Sequence, residues 1–126
     1  MKTIIQTPKA PAPIGPYNQA ILVDNTLFTS GQIALDPKTM ELVNRDIEME
    51  TAQVMKNLCE VLKAAEMDFS DVVKTTIFLS DMGDFSKVNE IYGSYFNHKN
   101  APARETVQVA ALPKNVSVEI SLIAIR

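Results

Sequence analysis

The sequence predicts an α+β fold, with one mostly antiparallel sheet and two helices on one face of it. Three observations carry this. Several short segments are rich in β-branched residues and alternate apolar with polar side chains. Two longer segments repeat apolar residues at helical spacing. The elements follow one another as β, ββ, α, β, α, ββ, and runs of strands and helices in that order suit an α+β layer.

Composition bounds the function. A chain of 126 residues suits one domain, residues 1–126, with one core. Hydrophobic residues at 46% and charged residues at 21% are the balance of an ordinary soluble globular protein. A net charge of −3, with no run of Lys or Arg, argues against nucleic acid as the main partner. Neutralising phosphates takes clustered positive charge. No apolar stretch reaches membrane-spanning length, and the apolar part of Met1–Gln6 is too short for a secretory segment. The single cysteine excludes an internal disulfide and makes a reducing, cytoplasmic location the expectation. With one Cys and one His a metal site is not expected, although carboxylate sites stay formally open.

The elements can be justified in chain order. Thr3–Gln6 reads as a short strand. Residues 7–16 hold Pro8, Pro11, Pro13 and Pro16 and form a stiff, extended loop, either a spacer or a rigid arm that places Tyr17. Tyr17–Val23 and Leu27–Gln32 are strands joined at Asp24-Asn25, residue types that tolerate positive φ. On the second, Leu27, Thr29 and Gly31 share one face and Phe28, Ser30 and Gln32 the other. Gly31 at the strand end lets something approach the backbone closely, or simply allows a bulge.

Ile33–Arg45 is loop, with Asp36-Pro37-Lys38 as turn chemistry. A helix follows over Ile47–Ala65. Asp46 is its N-cap, Glu48 and Glu50 sit at the positive end of its dipole, and Val54, Met55, Leu58, Val61 and Leu62 lie on its apolar stripe. Cys59 borders that stripe and reads as a packed thiol. Val72–Leu79, apolar on both faces, suits a central strand. Asp84 is expected to cap a second helix, Phe85–Asn97, with Asn89 off its apolar stripe and His98 at its C-terminus. A strand then runs from Arg104 to Ala111, and Leu112–Asn115 turns the chain into the last strand, Val116–Ile125.

Two helices cannot cover two sheet faces. The uncovered face carries Tyr17 or Phe28, with Ile123 and Ile125, and is too apolar for open water, so self-association through it is expected.

The chemistry gathers at Pro102-Ala103-Arg104-Glu105-Thr106. Pro102 stops the helix and biases Ala101 toward extended backbone, which fixes Arg104 at a loop–strand junction. Its guanidinium is a rigid, always-charged fork for a carboxylate or phosphate, or else a surface group paired with Glu105. Glu119 stands between Ser117 and Ser121 on the last strand. If the Pro113-Lys114 turn closes a hairpin, Arg104 and Glu119 lie on neighbouring strands. Arg104 then holds a substrate carboxylate, and Glu119 positions or deprotonates a water or protonates a carbon. Ser30, Thr106 and the Gly31 backbone add hydrogen bonds. The same spacing also fits a plain cross-strand ion pair.

The chain resembles the Rid family of reactive-intermediate deaminases, the YjgF-type family. The likeness is carried by Ala12–Gln19, Thr29–Ile33, Asp36–Thr39, Val73–Phe78, Asp84-Phe85 with Val88–Tyr92, Pro102–Arg104, Leu112–Lys114 and Val118–Ile120, in order along essentially the whole chain. The resemblance implies a chorismate-mutase-like α+β fold and a homotrimer with a barrel-like core and ligand clefts between subunits. It implies hydrolysis of enamines and imines, such as 2-aminoacrylate, to 2-oxo acids and ammonia. No cofactor is implied, because the substrate is already an activated electrophile. On this reading Arg104 binds the carboxylate and Glu119 orients the attacking water. Tyr17, Ser30, Gly31 and Asn89 line the cleft, with Tyr17 from a neighbouring subunit. Thr106 stands where many members have Cys, Met40 where a turn Gly is common and Glu66 where a helix-ending Gly is common. Glu105 adds a negative charge beside Arg104, although a strand neighbour points to the other face. Two other functions use the same residues: a regulatory trimer that binds small carboxylates without turnover, and a ribonuclease, for which an acidic chain with one His is poorly equipped.

Overall fold

The structure, a computed structural model, describes residues 1–126. Its strands are β1 (Lys2–Ile5), β2 (Ala20–Val23), β3 (Thr26–Thr29), β4 (Val72–Leu79), β5 (Ala103–Gln108) and β6 (Val118–Ile125). Its helices are α1 (Ile47–Ala64) and α2 (Phe85–Gly93). The strands form one sheet in the order β1-β2-β3-β6-β4-β5. Every neighbouring pair is antiparallel except β4 and β5, which run parallel.

That parallel pair corrects the hairpin expected between β5 and β6. Helix α2 crosses from the end of β4 back to its start, so β5 must run alongside β4 in the same direction. The more apolar β6 buries Val118, Ile120, Leu122 and Ala124 and takes the position between β3 and β4. The polar β5, sequence ARETVQ, is left at the edge, where its side chains meet solvent. Arg104 and Glu119 are therefore two strands apart, with β4 between them.

The core lies between the sheet and α1. Val54, Met55, Leu58, Val61 and Leu62 of α1 meet Leu27, Ile77, Leu79 and Ile120 of the sheet, all essentially sealed from water. Asp46 caps α1 as its sequence implies, accepting from the Met49 N–H at 2.7 Å. Asp84 does not cap α2 with its side chain. The chain is already helical there, in a 3₁₀ turn over Met82–Asp84, and Asp81 caps that turn instead, accepting from the Gly83 N–H at 2.8 Å. Regular helix ends at Gly93 rather than Asn97, since glycine weakens a helix interior. Tyr95 and Phe96 still pack against Phe69, at ring separations of 5.4 and 5.3 Å.

The other face of the sheet is covered only in part, where a small cluster of Ile33, Leu35, Leu112 and Val116 packs against Phe78. Phe28 stands opposite Ile123 on the neighbouring strand, and Phe28, Val107 and Ile125 are 46%, 44% and 47% exposed. A row of large apolar side chains this open to water is unusual for a face with no partner.

Candidate active site

Arg104 is positioned by two elements. Ala101 adopts the extended backbone that a following proline favours, and β5 starts at Ala103. In register with Thr75 of β4, Arg104 points to the helix side of the sheet. There α2 receives it. The guanidinium donates to Asn89 Oδ1 at 2.6 Å, and its Cζ lies 5.1 Å from the Tyr92 ring centre and 5.5 Å from that of Phe85. Tyr92 is itself fixed by a 2.7 Å hydrogen bond between its buried hydroxyl and that of Thr75. Burial pushes the Tyr92 phenol up, against the opposing pull of the Thr75 bond and of Arg104, so Tyr92 stays neutral. Cation–π contact and one hydrogen bond thus hold the fork while leaving most of its donors unused.

Arg104 lines a hollow of about 690 Å³ with Asn89, Tyr92, His98 and Pro102. His98 was expected at a helix C-terminus; because α2 ends early, it sits in a separate turn beside this hollow. Glu105 turns to the opposite face and pairs with Lys74 at 3.1 Å, so it does not neutralise Arg104. Thr106 follows on the Arg104 face, and its hydroxyl oxygen is buried without a hydrogen-bond partner.

Glu119 belongs to a second hollow. It stands opposite Phe78 on β4, which puts it on the face away from α1. Beyond β3 the chain stays tied to β6, because Gln32 and Ile120 exchange backbone hydrogen bonds of 2.8 and 3.1 Å. This brings Gly31 against the Glu119 side chain. A Cβ at Gly31 would lie 2.7 Å from Glu119 Cδ and 2.9 Å from Cγ, so any side chain there would force the Glu119 carboxyl to move. A small space of about 50 Å³ is lined by Gly31 and Glu119 with Ile14, Tyr17, Ile33 and Pro113. Burial pushes the Glu119 carboxyl above the ordinary carboxylate range. Ser30 adjoins Gly31, but its hydroxyl donates to the Asn18 carbonyl at 2.6 Å. Neither hollow gathers three His, Cys, Asp or Glu side chains of the kind that hold a metal ion.

Within one chain, then, the sequence-derived residues form two groups: Arg104, Asn89 and Thr106 on one side, Glu119, Gly31 and Tyr17 on the other.

Two supporting residues escaped the sequence reading. Gln19 is 2% exposed and staples the proline loop. Its Oε1 accepts from the Thr7 N–H at 2.7 Å, and its Nε2 donates to the carbonyls of Thr7, Ala10 and Pro11 at 3.0, 3.1 and 2.8 Å. No local pattern announces this; its partners lie 8 to 12 residues away. Glu50, read as a dipole partner, is 3% exposed. Its Oε2 accepts from the Ser117 and Val118 N–H groups at 2.8 and 3.1 Å and fixes the start of β6, just before Glu119. Burial raises its pKa, those two bonds oppose the rise, and the nearby Asp84 charge adds to it. Its place four residues before Val54, on the apolar stripe, was the available signal.

The family described as Endoribonuclease L-PSP matches residues 7–126. The chain belongs to this family, the Rid or YjgF-type family its motifs resemble. A RutC family protein of Synechocystis is 55% identical over 97% of this chain and 95% of its own length. The human protein named 2-iminobutanoate/2-iminopropanoate deaminase is 52% identical over all of this chain and 91% of its own. A solved Rid-family structure from Yersinia pestis, YyfA, superposes with a TM-score of 0.96 at 48% identity, covering both chains completely.

Proposed function

We propose that this protein is a cytoplasmic hydrolase that converts 2-imino acids and their enamine tautomers to 2-oxo acids and ammonia. The clefts would form where the Arg104 group of one copy meets the Glu119 group of the next. The observation that carries this is the complementarity of two incomplete halves. One offers a clamped guanidinium with free donors beside an unpartnered Thr106 hydroxyl. The other offers a carboxyl of raised pKa, with no hydrogen bond of its own, over the bare Gly31 backbone. The half-exposed apolar row through Phe28 and Ile125 supports assembly into a trimer with a barrel-like core. The 52% identity to a relative named for this reaction supports the substrate class.

In the proposed cycle Arg104 grips the substrate carboxylate through its fork. For an enamine, the protonated Glu119 carboxyl delivers its proton to the β-carbon, which gives the iminium form of the imine. Ionised Glu119 then takes a proton from water as the water oxygen bonds to the iminium carbon and the C=N π pair moves onto nitrogen. The carbinolamine collapses as Glu119 returns that proton to nitrogen; the C–N pair leaves with ammonia, the hydroxyl proton passes to Glu119 and the carbonyl forms. Tyr17, Ser30, Gly31 and Asn89 line the cleft, and Thr106 adds a hydrogen bond. The cycle calls for no cofactor.

A coupled assay tests this. A dehydratase that releases 2-aminoacrylate from serine is run with and without the protein, and ammonia and 2-oxo acid are followed against spontaneous hydrolysis. Arg104→Ala should lose both turnover and carboxylate binding; Glu119→Ala should lose turnover and keep binding. Unchanged turnover in Glu119→Ala would favour the carboxylate-sensing role instead. The ribonuclease reading draws on the family description and on His98 beside Arg104, but one histidine supplies no acid–base pair and a chain of net charge −3 draws phosphates weakly.

A further inference from the structure

On the outer side of α1 lies a third hollow, of about 600 Å³, within the range of small-ligand sites. Four lysines from three separate segments line it: Lys9 from the proline loop, Lys38 from the Asp36-Pro37 turn, and Lys56 and Lys63 from α1. The carboxylates at its wall, Asp36 and Glu60, are already engaged. Asp36 Oδ1 accepts from the Lys38 and Thr39 N–H groups at 2.8 and 3.2 Å, and Glu60 pairs with Lys63 at 3.4 Å. Lys9, Lys38 and Lys56 have no carboxylate partner within 4.0 Å. The hollow thus carries a local excess of positive charge in a chain whose net charge is −3. Like charges gathered in a cleft repel one another and focus a field that an anion relieves. Tyr95 also lines the hollow, and burial, with the nearby Cys59, pushes its phenol up.

We infer that this hollow is a binding site for a small phosphate-bearing metabolite, separate from the Arg104 and Glu119 groups. Lysines favour phosphate over a planar carboxylate, since each is a compact point charge rather than a fork. The volume admits a phosphate ester of modest size, and the hollow is lined by α1, on the side of the sheet opposite the Phe28–Ile125 row.

Inorganic pyrophosphate is the probe, titrated into the full-length protein at 25 mM and 150 mM NaCl and followed by calorimetry and amide NMR. These two concentrations, of about 20 Å and 8 Å screening length, bracket the ionic contribution. The expected result is saturable binding, weaker at the higher salt, with shifts at Lys56, Cys59 and Tyr95. The double variant Lys9→Gln/Lys56→Gln should weaken binding at least about tenfold while imine hydrolysis stays within about twofold of the parent, since neither lysine belongs to the proposed cleft. Arg104→Ala should leave pyrophosphate binding unchanged. Non-saturable shifts, binding indifferent to the double variant, or shifts confined to the Arg104 hollow would each overturn the site. Succinate serves as the dicarboxylate arm; equal affinity for succinate would overturn its assignment to phosphate.

Discussion

The Glu119 carboxylate lies directly on the backbone of Gly31, so closely that a methyl group at position 31 would stand 2.7 Å from its Cδ. The approach is enforced from both sides. The Gln32–Ile120 bonds hold the two chain segments in register, and Glu50 fixes the strand just before Glu119. Gly31→Ala must therefore push the carboxyl away. The expected outcome is a fall in kcat of about a hundredfold, the scale of a 1 Å misplacement, with substrate affinity through Arg104 largely kept. Steady-state kinetics with the coupled assay checks it, and an unchanged kcat would mean that the position of the Glu119 carboxyl is not critical.

Glu119 is held by burial alone, and this gives a stability signature. Its folded pKa is raised by desolvation, so the folded state binds its proton more tightly than the unfolded chain. The favourable contribution is complete below the unfolded value, about 4.3, and is lost as pH rises through the raised folded pKa. Above that folded pKa the ionised Glu119 therefore weakens the fold. Glu119→Gln should raise Tm at pH 7 while abolishing turnover, and the gain should shrink as pH falls toward 4. Melting curves of both proteins from pH 4 to 8 decide this; a gain independent of pH would point to packing rather than ionisation.

The sequence made most of the architecture legible, because periodicity reports which side of an element is buried. The α1 stripe, its Asp46 cap and the central β4 follow from it directly. Strand neighbours do not. Whether β6 pairs with β5 or slips between β3 and β4 depends on which strand is apolar enough for the interior, a comparison between distant segments. The site suffered from the same limit. Arg104 and Glu119 were identifiable as types at strand positions, but their separation by β4 was not. Gln19 and Glu50 act through backbone groups 8 to 68 residues away, which no local pattern encodes.

Glu66 is a place where sequence and backbone disagree. It follows α1 with φ of 59°, in the left-handed region, and Met67 and Glu66 close the helix by donating to the carbonyls of Leu62 and Lys63 at 2.9 Å each. That is a Schellman ending, whose left-handed residue is usually glycine. The left-handed conformation costs a non-glycine residue about 1–2 kcal/mol, partly offset by the extra freedom glycine has when unfolded. Glu66→Gly should stabilise the protein by about 0.5–1 kcal/mol without changing activity. Urea unfolding checks it through a higher midpoint at constant slope; a lower midpoint would show that the Glu66 side chain contributes more than its backbone strain removes.

If each cleft draws Arg104 from one copy and Glu119 from another, two inactive variants should repair one another. Arg104→Ala supplies intact Glu119 groups, and Glu119→Gln supplies intact Arg104 groups. Mixed after dissociation and allowed to reassemble in equal amounts, they should regain about a quarter of parental activity, the chance that a cleft pairs the two intact groups in a closed ring. The regained activity should depend on assembly. Phe28→Asp, which places a charge in the open apolar row opposite Ile123, should give monomers by sedimentation and no turnover. No recovery from the mixture, with mixed assemblies verified by mass spectrometry, would mean that both groups of a cleft come from one chain. Because β4 separates them and the two side chains point to opposite faces of one sheet, that outcome would overturn the shared cleft and with it the division of labour between Arg104 and Glu119.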